Sequence, residues 1–371
     1  MSLSTLFSGT ERPSEHLASI AAMMKFVWDP SVLEITVNQP DRIFFTTAQG
    51  RQLVRDAVFP NQEAYQAWVE ELLSLTDAGY RTLGQVHSSV VEGSFKPETS
   101  LCGAVHVCMP EITGGPPVVT VRKQPNTDVS LDQMLTDQKM IHQEIYDFLV
   151  SAVHGRLNIA ISGGSGAGKT TLARALSAFV DPNLRVVSVE DTRELYLTRR
   201  LPNAVSLTTF RLRDQQGRVV RETTMEDLVR EALRMRADAI WVGETRGREA
   251  YALVKACNSG HDGSVTTVHA DNGAAAVKQL VTYVMEGGVS EEVARDQVAR
   301  AFQLVIQVGL IRPGVRRVME ITELESVREG VEQRRNRLWV YRHDQDTWEK
   351  VGFPTKHLVT AVSRYGVSSL G

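Results

Sequence analysis

The chain has 371 residues, enough for two or three domains at roughly 150 residues each. Lys plus Arg number 41 and Asp plus Glu 44, a formal net charge of −3, with 42% hydrophobic and 23% charged residues. Such a composition excludes a disordered chain, a collagen-like repeat and a disulfide-rich miniature scaffold. It also argues against a surface given over to nucleic acid, because such domains run strongly basic. Cys102, Cys108 and Cys257 are odd in number and form no Cys-x-x-Cys pair, which fits neither a disulfide framework nor a structural zinc site. No run of about 18 apolar residues occurs, and the N-terminus lacks the basic-then-apolar order of a signal peptide. The expectation is a soluble, intracellular protein.

In chain order, residues 33–38 read LEITVN, and the alternation of Leu33, Ile35 and Val37 predicts a half-buried strand. Residues 42–46 and the segment from Gln52 flank Ala48, Gln49 and Gly50, which predicts a hairpin. Ala64, Trp68, Leu72 and Leu75 recur at helical spacing within Glu63 to Leu75. Strand-like runs follow near 85–91, 103–108 and 118–122, joined by segments rich in proline and glycine. The first 125 residues therefore read as an α+β domain, and 126–136 as a linker.

Beyond Ser130 the pattern changes. Leu131 to Val153 reads as helix, and strands then alternate with helices to about residue 325. That order predicts a parallel sheet with helices on both faces. The domain is expected over 137–325, with 326–371 as a small charged appendage.

An apolar strand, Leu157 to Ser162, runs into Gly163-Gly164-Ser165-Gly166-Ala167-Gly168-Lys169-Thr170. Every fixed position of G-x-x-x-x-G-K-[ST] is met, with a strand before it and a helix after it. In such a loop backbone N–H groups turn inward around phosphates at the positive end of the helix. Lys169 is expected at the β- and γ-phosphates, and the Thr170 hydroxyl at Mg²⁺.

Hydrolysis needs a group that orients or deprotonates water. Val186 to Val189 ends in Glu190, and Ala239 to Val242 ends in Gly243-Glu244. In a parallel sheet, ligands bind beyond the carboxyl ends of strands, so both glutamates are candidates for the γ-phosphate and its metal. Gly243 stands where Walker B motifs usually carry an aspartate. His261 and His269 lie eight apart without helical zinc spacing, so zinc is not expected. His261 after Gly260 reads either as a structural histidine or as a γ-phosphate sensor. Arg230, Arg234, Arg236, Arg246 and Arg248 are candidates for stabilising transferring phosphate, alongside roles in ordinary ion pairs.

Four boxes in order resemble the hexameric ATPases of type IV secretion and Tad/Flp pilus assembly, within the type II/type IV secretion superfamily. They are GGSGAGKTT at 163–171, VEDTREL at 189–195, LVREALRMRADAIWVGETRGREA at 228–250 and SGHDGSVTTVHADN at 259–272. RRVMEITEL at 316–324 resembles the family's closing strand, and 29–45 its N-terminal signature. The resemblance implies a C-terminal RecA-like P-loop ATPase domain behind a smaller N-terminal α+β domain, an α/β protein overall. It implies ATP bound by Gly163 through Thr171, with Arg122 reaching the nucleotide from the N-terminal domain. It assigns Glu190 to the family's acidic box, Glu244 to its Walker B glutamate and His261 to its histidine box. Thr170, Glu190 and Glu244 would attend Mg²⁺, and Arg234 and Arg246 match motif arginines.

The function implied is a homo-hexameric ATPase motor, cytoplasmic and peripheral at the inner face of the cell membrane, held there by inner-membrane secretion or pilus machinery. No stable nucleic-acid partner is expected. Two other readings use the same core: a DNA-translocating P-loop motor, for which DNA-stimulated turnover would be the sign, and a nucleotide-gated scaffold with little turnover.

Overall fold

In the computed structural model, residues 15–370 are described apart from 48, 55–58, 77–82, 84–89, 97–98, 100, 102, 124–128, 214–218, 313 and 326–334. The chain divides into two units, Met1–Asn126 with Arg213–Val220, and Thr127–Leu212 with Arg221–Gly371.

The N-terminal unit is built on an antiparallel sheet of β1 (Glu34–Gln39), β2 (Arg42–Thr47), β3 (Gly50–Leu53), β4 (Val90–Ser94), β5 (Gly103–Cys108) and β6 (Val118–Lys123), in the order β3-β2-β1-β6-β5-β4. Ile35 and Val37 point to one side, as their alternation predicts, and join Val105, Val107, Val119 and Val121 in one core. The helices Glu15–Trp28 and Gln62–Ser74 supply Met23, Val27, Trp68 and Leu72 to it. Asn61 caps the second helix by accepting the Ala64 N–H at 2.8 Å. The hairpin predicted around residue 48 is β2–β3, with Thr47 opposite Gly50; Ala48 lies outside the described residues. The strand predicted near 85–91 falls largely on undescribed residues, and β4 begins at Val90.

The helix predicted over 131–153 is two helices, Leu131–Thr136 and Gln143–His154. The first, which falls in the predicted linker, is closed by a capping box of Ser130 and Gln133. The chain then breaks through Lys139 at φ 49°. The break places Met140 and Ile141, each 1% exposed, in the core. Burial of two apolar side chains outweighs continuing the helix.

The larger sheet comprises β7 (Ile159–Ser162), β8 (Val186–Glu190), β9 (Val205–Thr208), β12 (Ala239–Val242), β13 (Val265–Val268), β14 (Leu304–Arg312), β15 (Val315–Leu324), β16 (Arg335–Arg342) and β17 (Thr347–Lys350). A separate hairpin is formed by β10 (Phe210–Arg213) and β11 (Val219–Thr223). The order is β17-β16-β15-β14-β7-β13-β12-β8-β9. Pairing is parallel from β14 to β9 and antiparallel from β14 to β17.

Alternate residues of the central strands feed two cores, the mark of a sheet covered on both faces. Ile159, Ile161, Trp241 and Ile306 face one way with Phe148, Leu172 and Trp339. Ala160, Ile240, Val242 and Val305 face the other with Leu253, Leu280 and Val298. This is the RecA-like α/β arrangement expected.

The predicted appendage proves different. β16 and β17 extend the same sheet, and Leu338, Trp339, Leu358 and Val362 are buried in its core. Glu323 of β15, 1% exposed, accepts from the Thr355 hydroxyl, from the Thr355 N–H at 3.0 Å and from Asn336 Nδ2 at 3.1 Å. Asn336 and Thr355, both within the expected appendage, thus close on an acid in the sheet.

Candidate active site

Register places the carboxyl ends of four strands together. Val268 lies beside Ser162, and Val242 beside Val189 and Thr266. The loop after β7 turns through Gly163, Gly166 (φ 69°) and Gly168 (φ 100°) into the helix Lys169–Leu176. A Cβ on Gly163 would stand 2.4 Å from the Val308 carbonyl oxygen, so only glycine fits against β14.

Lys169 is 7% exposed, and its Nζ donates to the carbonyls of Gly163 at 2.9 Å and Gly164 at 3.1 Å. The same nitrogen lies 3.3 Å from Nδ1 of His269. Burial pulls the ammonium pKa below its ordinary value, although Glu244 and Glu194 oppose this. Thr170 donates its hydroxyl to Glu194 Oε2 at 3.2 Å.

Glu244 follows β12. Its Oε2 receives Arg246 Nη2 at 2.8 Å, and its Oε1 stands 3.0 Å from His269 Nε2. Burial raises its pKa, but the hydrogen bond and charge of Arg246, with His269 and Lys169, outweigh burial and hold it below the ordinary value. The carboxylate is therefore ionised at neutral pH. Arg246 is itself held by its neighbour, since its N–H donates to Glu249 Oε1 at 2.5 Å.

Glu190 is placed otherwise than expected. It is 1% exposed, and its Oε1 accepts the N–H groups of Glu194 at 2.8 Å and Leu195 at 2.7 Å. Burial raises its pKa to about 7 against those stabilising hydrogen bonds. It folds the loop that presents Glu194 to Thr170, a positioning role. Gly243 has a structural reason too: a Cβ there would come within 2.9 Å of Glu190 Cγ. The buried acid occupies the space a Walker B aspartate would need.

Two expected residues lie elsewhere. His261 precedes β13, at the amino end of the strand; its N–H and ring Nδ1 meet the Ala256 carbonyl at 3.3 and 3.0 Å. Because Ser264 pairs with the start of β7, His261 is at the pole opposite Lys169. The histidine at the strand's carboxyl end is His269. Arg234 ends the helix Met225–Arg234, exposed and paired with Glu231 at 2.5 Å. The next residue, Met235, accepts from Arg185 Nε just before β8, so Arg234 is also on the opposite pole. Arg122 is an exposed residue of β6 in the N-terminal unit.

The sequence reading gives Glu194 and Arg316 no role and weighs His269 only as a zinc ligand. Arg316, at the start of β15, donates from Nε to the Gly166 carbonyl at 2.9 Å. Among the described residues no group of three His, Cys, Asp or Glu side chains could hold a metal by itself. The Thr170 hydroxyl beside the Glu194 carboxylate is the oxygen pair that suits Mg²⁺.

The sequence profile of the Type II/IV secretion system protein family (T2SSE) matches residues 103–354. A putative conjugal transfer protein of Mycobacterium tuberculosis (strain ATCC 25618 / H37Rv) is 41% identical over 174 residues, 47% of this chain and 48% of that protein. The conjugal transfer protein TrbB of Rhizobium radiobacter is 34% identical over 223 residues, 59% of this chain and 64% of TrbB. The chain thus spans about half to two thirds of the length of these curated relatives. Among solved structures, the Legionella pneumophila ATPase DotB superposes with a TM-score of 0.53 at 19% identity, covering 88% of this chain and 82% of DotB. That likeness is one of fold.

Proposed function

Because the chain belongs to the Type II/IV secretion system protein family, we propose that it is the ATP-hydrolysing motor subunit of a type IV secretion or pilus-assembly machine. The observation that carries this reading is the convergence of Lys169, Thr170, Glu194, Glu244 and His269 at one set of strand ends. Its relatives named for conjugal transfer agree with it.

In this reading residues 163–171 cradle the triphosphate, and Lys169 moves from its loop carbonyls to the β- and γ-phosphates. Thr170 and Glu194 would hold Mg²⁺, which when bound neutralises phosphate charge. Glu244 orients the attacking water and takes its proton as the oxygen bonds to the γ-phosphorus and ADP departs. His269, touching both Lys169 and Glu244, keeps that carboxylate aimed. Arg246, bonded to Glu244, supplies further positive charge to the phosphates. Arg234, at the far pole of its own sheet, would serve a neighbour in a homo-hexamer. Membrane machinery at the cytoplasmic face would receive the resulting motion.

The test is phosphate release from ATP with Mg²⁺, measured beside light scattering with and without nucleotide. Turnover in a species of about six subunits, absent from Lys169→Ala, is expected. A chain that stays monomeric and releases no phosphate would overturn the reading.

A further inference from the structure

Resting on that reading of the loop as a nucleotide site, we propose that Arg316 is a positioning residue that sets the orientation of the peptide between Gly166 and Ala167. Its Nε holds the Gly166 carbonyl at 2.9 Å, and its Cδ lies 3.1 Å from where a Cβ on Gly168 would stand. A peptide group is planar, so fixing the carbonyl fixes the N–H of the next residue on the opposite side. That N–H, on Ala167, turns back to the Gly164 carbonyl at 3.3 Å. Lys169 Nζ meets the same Gly164 oxygen. The loop's shape is therefore set from three points: Lys169 inside, the Ala167 N–H across it, and Arg316 outside.

Arg316 is held in turn by its neighbour. Arg317, 6% exposed, bonds through Nε and Nη2 to Asp346 at 3.1 and 3.3 Å, and through Nη1 to the carbonyls of Gln138 at 3.2 Å and Arg316 at 3.0 Å. Asp346 sits in the β16–β17 turn and accepts the Tyr341 hydroxyl at 2.6 Å. The backbone of Arg316 is thus tied to a turn 30 residues later in the chain (346 − 316), and the last strands bear on the nucleotide loop through two successive guanidinium groups, those of Arg317 and Arg316. A glycine-rich loop has many accessible conformations, and a charge-assisted hydrogen bond from a rigid strand narrows them before the ligand arrives.

The experiment measures Mg-ADP and Mg-ATP affinity by calorimetry, with KM and kcat, for the wild type, Arg316→Met, Arg316→Lys and Asp346→Asn. Thermal unfolding without nucleotide checks that each variant is folded. Arg316→Met should weaken both nucleotides about tenfold, the size of one charged hydrogen bond, and raise KM more than it lowers kcat. Arg316→Lys, which keeps one donor, should recover most of that loss, and Asp346→Asn should show a smaller loss of the same kind. A folded Arg316→Met with wild-type affinities and KM overturns the proposal alone. A wild-type chain that binds neither nucleotide overturns the nucleotide-site reading with it.

Discussion

Glu244 and His269 close a line of polar contacts across the ends of two adjacent strands: 3.0 Å from carboxylate to ring, then 3.3 Å from ring to Lys169 Nζ. The three side chains come from separate segments, and the sheet alone brings them together. Replacing Glu244 with Gln keeps the shape and removes the proton acceptor. Phosphate release should fall at least about a hundredfold, while ADP affinity, read by calorimetry, changes by less than about threefold.

Thr170 and Glu194 form the second oxygen cluster. Glu194→Gln should raise the Mg²⁺ concentration needed for half-maximal turnover by about tenfold at saturating ATP. A Mg²⁺ titration at fixed nucleotide reads this directly, and an unchanged midpoint would remove Glu194 from the metal site.

Glu190 carries a pH signature. Its folded pKa lies near 7, raised by burial from 4.5, so between these values the folded state holds a proton the unfolded state has lost. This contribution to stability is complete below pH 4.5 and is lost as pH rises through 7. The amount is of the order of 3 kcal/mol. Denaturant unfolding at pH 5.5 and pH 8 should show wild type weakening with pH, while Glu190→Gln shows a flatter profile.

Restoring the acid missing from the Walker B position should harm this protein. In Gly243→Asp, and already in Gly243→Ala, the new Cβ meets Glu190 at 2.9 Å. A loss of about 1–3 kcal/mol is expected, visible as a lower urea midpoint.

The knot at Glu323 should matter as much as any apolar residue. Glu323→Ala removes the acceptor of the Thr355 N–H and hydroxyl and one of the two acceptors of Asn336 Nδ2, which keeps the Phe353 carbonyl at 2.8 Å, at a cost of about 1–3 kcal/mol. Limited proteolysis should then cut within the segment after residue 335 before the rest of the sheet.

The phosphate loop was legible because its chemistry is local: glycines, Lys169 and Thr170 are contiguous. Glu244 was legible by a rule, since it follows an apolar strand at its ligand-binding end. The same rule, applied to Val265–Val268, selects His269; choosing His261 meant taking the wrong end of that strand. Glu190 also ends a strand, but whether a side chain faces the ligand or its own loop depends on the neighbouring Gly243, which spacing does not reveal. Arg316 had no sequence signal, because its partner Gly166 lies 150 residues away (316 − 166). The place of β16 in the sheet is not legible in the sequence, because arginines and glutamates surround the apolar pair Leu338 and Trp339.

The strand that carries the nucleotide loop has β13 and β14 as its only two sheet neighbours. During synthesis β7 emerges long before either. Some 103 residues separate Ser162 from Val265 (265 − 162), roughly 5–20 s at ordinary ribosomal speed. Arg316 follows later still. A growing chain therefore carries the glycines and the lysine without the frame that shapes them until β13, β14 and Arg316 have been made.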